Sequence, residues 1–175
     1  MLITQEYKQL NAELHGRTDY GTSGHKWAAT IAELACKLGT LDILDYGCGK
    51  QTLQKSLGIP IKQYDPCLEG FDATPEPADI VMCGDVLEHI EPDCLDDVLD
   101  DLQRVVKRAG VFVVSTRPAR RILADGRNAH LIQEPYAWWK EKIEARFDIL
   151  RAIESEHSFF VFVGKKAAEP VKEQA

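Results

Sequence analysis

The segment ADIVMCGD, residues 78–85, restricts the fold more than any other stretch, because Ile80, Val81 and Met82 form an unbroken apolar run between acids. A strand wetted on one face alternates apolar and polar residues, whereas a parallel strand covered on both faces is apolar throughout. Such a strand needs helical crossovers packed against its sheet, so helices and strands must alternate along the chain. The flanking sequence meets that demand. KWAATIAELACKL (26–38) sets Trp27, Ile31, Leu34, Ala35 and Leu38 at helical spacing before Gly39. LDILDY (41–46) reads as a buried strand, QTLQKSLG as a helix closed by Gly58, and IPIKQYD (59–65) as a second strand left through Asp65-Pro66.

Beyond residue 85, DCLDDVLDDLQRVVKR (93–108) carries Leu95, Val98, Leu99, Leu102, Val105 and Val106 on one stripe, with acids early and bases late. This predicts a helix ended by Gly110. GVFVVST (110–116) is a further strand, YAWWKEKIEARF a second amphipathic helix, and FDILRAIESEHSFFVFVGKK a hairpin turning near residues 155–157. Between Asp65 and ADIVMCGD there is too little chain for a whole crossover helix and strand, so one unit of a doubly wound sheet is expected to be trimmed. The pattern predicts an α/β, Rossmann-like sandwich with a mostly parallel sheet and a C-terminal antiparallel hairpin. Its ligand should bind at the carboxyl ends of the strands. One domain is expected over residues 1–165, with 1–25 as an N-terminal segment on the ligand side and 166–175 as a flexible tail.

Several classes are disfavoured. The N-terminus lacks the apolar core of a leader and no run approaches a membrane span, so a cytoplasmic location is expected. Five scattered cysteines (Cys36, Cys48, Cys67, Cys83, Cys94) are spaced wrongly for zinc and odd in number for a disulfide framework. A net charge of -7 and a pI near 5.2 argue against a general nucleic-acid binder.

The chemistry is concentrated first at ILDYGCGKQ, residues 43–51. Asp45, Gly47 and Gly49 make a tight turn after a strand, letting backbone approach a ligand. A nicotinamide fingerprint, GxGxxG, needs a third glycine where this chain has Thr52. The acid before the first glycine favours a ligand bearing a cationic amino acid over a bare pyrophosphate. The bland alternatives are that Asp45 caps its loop and Asp65 is a turn acid ahead of Pro66.

LDYGCGK, the Asp65 of QYDP and ADIVMCGDVLEHIEP together resemble, in order and over roughly residues 20–165, the class I S-adenosylmethionine-dependent methyltransferases, with Gln51 in place of the family's third glycine. A short version carrying YDP, DVLEHIEP and a later GRNAH is also similar to methyltransferases of bacteriophages. The resemblance implies S-adenosylmethionine as cofactor and S-adenosylhomocysteine as product. By the same resemblance, Gly47, Cys48 and Gly49 should lie against the methionine part, with Asp45 near its ammonium. Asp65, followed by Pro66, should hold the ribose, Asp72 the adenine amino group, and Gly84 and Asp85 should border the sulfonium.

For the acceptor, methyl transfer depends chiefly on positioning, with a general base needed only for a protonated nucleophile. His89, its neighbour Glu88, and the later His130 are the candidate bases; the alternatives are that His89 caps a short helix and His130 a turn. Asp85, Glu88 and His89 have no distant fourth ligand in view, so no metal is expected. Seven basic residues against one acid between Arg104 and Arg127 point to an anionic acceptor held by Arg117, Arg120, Arg121 and Arg127, with Asn128 beside them. Arg104, Lys107 and Arg108 read equally well as a solvated helix face paired with the acids at 93–101. Tyr136 and Trp138 suit a lid, while Trp139 is read as sheet packing.

No Asn/Asp-Pro-Pro-aromatic element follows the DIVMCG strand, and Pro66-Cys67 follows the wrong strand for a cytosine nucleophile. The expectation is therefore a methyltransferase acting on a small molecule, as a monomer or homodimer. A silent S-adenosylmethionine-binding module, and a nucleic-acid methyltransferase served by a partner protein, are the alternatives.

Overall fold

The computed structural model describes residues 1–16 and 20–166. The expected flexible tail falls almost wholly on 167–175, outside the described residues. Six strands form one sheet: β1 (Ile43–Tyr46), β2 (Lys62–Tyr64), β3 (Ala78–Gly84), β4 (Val106–Ser115), β5 (Phe147–Glu154) and β6 (Ser158–Lys165). Their order is β2-β1-β3-β4-β6-β5, with the first four parallel and β6 antiparallel to both neighbours. This is the mostly parallel sheet with a terminal hairpin that the sequence predicts. Residues 65–77, between β2 and β3, carry no helix or strand, as their length requires.

The apolar runs are continuous because both faces are covered. Ile43, Ile80, Met82, Val111 and Val113 pack against α2 (Ala28–Leu38) and α3 (Thr52–Leu57) on one side. Their neighbours Leu44, Val81, Cys83, Phe112 and Val114 pack on the other side, together with α4 (Leu95–Val105) and α5 (Tyr136–Glu144). Trp139 is fully buried in that second core, as its reading as a packing residue requires. No helix among the described residues is long and apolar enough to cross a membrane.

Two elements differ from the sequence reading. The α4 helix stops at Val105, and Val106 already pairs with Ala78 as the first residue of β4. The register shift between Ala78 and Ile80 places Val106 and Ala109 opposite them, a bulge that leaves Lys107 and Arg108 exposed on the strand. There Lys107 pairs with Asp42 at 2.8 Å and Arg108 with Asp79 at 3.8 Å, so neither belongs to a helix facing the α4 acids. Arg104 does pair within α4, with Asp101 at 2.7 Å.

The second difference is an N-terminal helix, α1 (Gln5–His15), capped by the Thr4 hydroxyl accepting from the Tyr7 N–H at 3.2 Å. Tyr7 and Leu14, with Leu10 beside them, pack on Leu123 and Ala129, so α1 lies against the long loop after β4. Helix and loop together roof the carboxyl ends of the strands.

Candidate active site

Under that roof lies a cavity of about 480 Å³, floored by the turns that follow β1, β2 and β3 and walled by the loop after β4. Its first half is built on the glycine turn. Gly47 (φ +87) and Gly49 (φ +48) are left-handed, and a Cβ on Gly47 would stand 2.3 Å from Val86 Cγ2. On Gly49 it would stand 2.6 Å from the Gly21 carbonyl oxygen, which accepts from the Lys50 N–H at 2.7 Å. The turn is thus gripped between the residues after β3 and the chain leading out of α1, and no side chain fits. Gln51, at the position of the resembled family's third glycine, has φ 60 and ψ 30. The backbone geometry that favours glycine is retained while the glycine is not.

Two buried carboxylates flank this turn. Asp65 accepts from the N–H of Gly49 at 3.1 Å and of Cys67 at 3.0 Å, tying the turn after β1 to the turn after β2. His15 Nε2 lies 3.7 Å from the same carboxylate, and burial, opposed by Asp65, holds the imidazole below its ordinary pKa. Asp45 is 5% exposed, and burial, reinforced by the charge of Asp65, pushes its pKa up to about 7. It borders the cavity as a carboxylate in need of a cationic partner.

The second half lies beyond β3 and β4. Asp85 follows β3 with a left-handed backbone (φ 55), a strained conformation for a non-glycine residue at a cavity wall. Glu88 is fully buried; its Oε1 accepts from the Ser115 N–H at 2.8 Å, and burial followed by the charge of Asp85 pushes its pKa up to about 8. His89 Nδ1 lies 2.7 Å from the Ala129 carbonyl and His130 Nδ1 2.6 Å from the Arg117 carbonyl. A carbonyl only accepts, so both rings carry their proton on Nδ1 and a lone pair on Nε2. Burial holds both below the usual histidine pKa, and the rings meet edge to face at 4.7 Å between centroids.

The structure gathers most of the residues singled out by sequence. Asp45, Gly47, Cys48, Gly49, Asp65, Pro66, Gly84 and Asp85 border the cavity, as do Glu88, His89, His130, Arg117, Arg120 and Arg121. Three others lie elsewhere. Asp72 is exposed and pairs with Lys8 at 3.0 Å, because the short connection after β2 turns back on itself through the Asp65 N–H to Phe71 carbonyl bond. Arg127 pairs with Asp125 at 2.7 Å and stands over the Tyr7 ring. Asn128 braces the loop by exchanging hydrogen bonds with the Ala119 backbone at 2.9 Å and accepting from the His130 N–H.

The sequence reading put residues 1–25 on the ligand side without singling out any of them; Tyr7, Asn11 and His15 of α1, followed by Tyr20, border the cavity. The Tyr7 hydroxyl donates to the His89 carbonyl at 2.6 Å, and Tyr20 donates to Asn11 at 3.1 Å. The available signal was the Thr4 cap followed by Tyr7, Leu10 and Leu14 at spacings of three and four.

No protein-family model and no curated protein sequence matches the chain. Solved structures do. It is similar to the Burkholderia thailandensis 1,6-didemethyltoxoflavin-N1-methyltransferase with bound 1,6-didemethyltoxoflavin and S-adenosylhomocysteine, at 17% identity and a TM-score of 0.65, over 95% of this chain and 92% of that one. The magnesium protoporphyrin IX methyltransferase of Synechocystis PCC 6803 with bound S-adenosylhomocysteine is similar at 15% identity and a TM-score of 0.57, over 81% and 83% of the two chains. An rRNA methylase from Escherichia coli is similar at 16% identity and a TM-score of 0.54, over 94% and 78%. With its sheet order and the glycine turn after β1, the chain has the fold of the class I S-adenosylmethionine-dependent methyltransferases.

Proposed function

We propose that the protein transfers a methyl group from S-adenosylmethionine to a small anionic acceptor. The observation that carries this reading is a single cavity whose glycine-turn half carries the buried Asp45 and Asp65 and whose other half carries Arg117, Arg120 and Arg121 beside Asp85 and Glu88. The glycine-turn half fits the cofactor's chemistry: Gly47 and Gly49 leave room for backbone contact, and the Asp45 carboxylate suits an ammonium group. Asp65 supplies an acceptor for ribose hydroxyls once His15 gives way. When bound, the cofactor supplies an electrophilic methyl on its sulfonium. The chain's part is to hold the acceptor atom in line with that carbon and to exclude water beneath α1 and the β4 loop. The arginines hold the acceptor's anionic group, and Nε2 of His89 or His130 takes a proton where the nucleophile carries one. Two of the similar structures carry S-adenosylhomocysteine, which supports the cofactor assignment.

Calorimetry with S-adenosylmethionine tests the first half. Binding by the wild type that is lost in Gly47→Arg and weakened in Asp65→Asn is expected; absence of wild-type binding would sink the assignment. An acceptor library read by S-adenosylhomocysteine release tests the second half. For any acceptor found, Arg120→Ala with Arg121→Ala should raise KM at least 10-fold.

A further inference from the structure

We propose that Glu88, His89 and His130 form a binding site for a borderline divalent transition ion, of the zinc or iron(II) type, on the acceptor side of the cavity. Sequence alone shows Glu88 and His89 as neighbours with no distant partner. The fold supplies one, because the loop after β4 returns His130 to them, and one donor atom from each of the three lies within 4.8 Å of the others. A tetrahedral ion with bonds of about 2.1 Å sets its donors roughly 3.4 Å apart, so side-chain closure of at most about 1.4 Å completes the set.

Three further features fit ligands rather than packing. Each imidazole is fixed by its Nδ1 hydrogen bond to a backbone carbonyl, Ala129 for His89 and Arg117 for His130, so Nε2 is the nitrogen with a lone pair. Outer hydrogen bonds of this kind orient metal-binding histidines. Glu88 is fully buried, yet its Oε2 has no hydrogen-bond partner among the described residues while Oε1 is anchored by the Ser115 N–H. A buried carboxylate oxygen without a donor is costly unless a cation meets it. Finally, all three residues border the cavity, so an ion held by two imidazoles and one carboxylate would keep a coordination position for a ligand there.

That position deepens the function proposed above and rests on it. The ion would take over from a histidine base: with both Nε2 lone pairs on it, it would bind an oxygen of the acceptor and favour the deprotonated form, the proton leaving to solvent, as Arg117, Arg120 and Arg121 hold the same molecule's negative charge. The acceptor class is then a hydroxylated or enolic anion able to chelate a metal. The ion polarises the oxygen and is neither oxidised nor reduced.

The probe is cobalt(II), titrated into chelator-treated full-length protein without cofactor and followed by its visible d–d absorption. One equivalent should bind with the intensity of a four- or five-coordinate site. His130→Ala and Glu88→Gln should each weaken binding by more than about 100-fold. Glu88→Gln keeps an oxygen for the Ser115 N–H, and its circular dichroism and melting should stay near wild type, which separates lost ligation from lost folding. His157→Ala, at an exposed histidine outside the cavity, should leave cobalt binding unchanged. Failure of the wild type to bind one equivalent, or unaltered binding in both His130→Ala and Glu88→Gln, would overturn the site. Calorimetry with S-adenosylmethionine on the same proteins keeps the two readings apart. Cofactor binding without cobalt binding removes only the metal, and the reverse removes only the methyltransferase reading.

Discussion

Replacing Asp45 with Asn separates what this residue does for stability from what it does for binding. In the folded chain its carboxyl titrates near 7 against an ordinary value of 3.8, because burial and the neighbouring Asp65 oppose its charge. The folded value lies above the unfolded one, so the folded chain holds the proton more tightly, and stability falls as pH rises from about 4 through about 7. At 1.36 kcal/mol per pH unit, ionisation of this one group lowers stability by about 1.7 kcal/mol at pH 5 and about 4 kcal/mol at pH 8. Asn does not titrate. Urea denaturation of wild type and Asp45→Asn at both pH values should therefore show the variant's relative stability improving by about 2.5 kcal/mol between pH 5 and pH 8. Affinity for S-adenosylmethionine should move the other way, falling by roughly 10- to 100-fold, since a charged hydrogen-bonded contact contributes about 1.5–3 kcal/mol. A gain in stability matched by a loss in binding would mark a carboxylate kept ionisable for a cationic ligand. Parallel pH profiles for the two proteins, or undiminished cofactor affinity in the variant, would refute the reasoning.

Other consequences are as direct. Gln51→Gly relieves a left-handed residue and should stabilise the chain by about 0.5–1 kcal/mol in thermal or urea melts, after the glycine's greater unfolded-state entropy is subtracted. Gly47→Ala and Gly49→Ala should each destabilise by about 2 kcal/mol or more, and only the first should be partly rescued by Val86→Ala, because the clash at Gly49 is with the Gly21 backbone. Asp65→Ala strips two backbone N–H groups of their acceptor and should lower stability by about 2–4 kcal/mol, with Asp65→Asn losing less, in the same melts.

How much was legible in sequence follows from the range over which each signal acts. Local periodicity disclosed α2, α4 and α5, and the unbroken runs at β1, β3 and β4 disclosed a sheet covered on both faces, because covering both faces forbids polar alternation. The trimmed link between β2 and β3 was a matter of chain length, which sequence counts directly. The end of α4 was not legible. Val105 and Val106 continue the apolar stripe, yet β3 captures Val106 by pairing it with Ala78, and pairing across the sheet outweighs helical propensity. The basic residues divided for the same reason: Lys107 and Arg108 were carried to Asp42 and Asp79, while Arg117, Arg120 and Arg121 border the cavity.

What the sequence determined by itself was the glycine-turn end of the cavity, since Asp45, the two glycines and Asp65 sit at strand ends whose positions are set within a few residues of local pattern. What only the tertiary structure decided was the opposite end of the cavity and its roof. Asp72 was turned away from the cavity by the short turn after β2, whereas α1 was laid over it by packing Tyr7 and Leu14 on a loop about a hundred residues distant. His130 was brought to Glu88 and His89 by the same loop, and Glu88 was buried by the strand end whose N–H it accepts. Contacts between segments this far apart leave no periodic trace along the chain, because they are selected by the shapes and unpaired polar groups that the folded sheet presents.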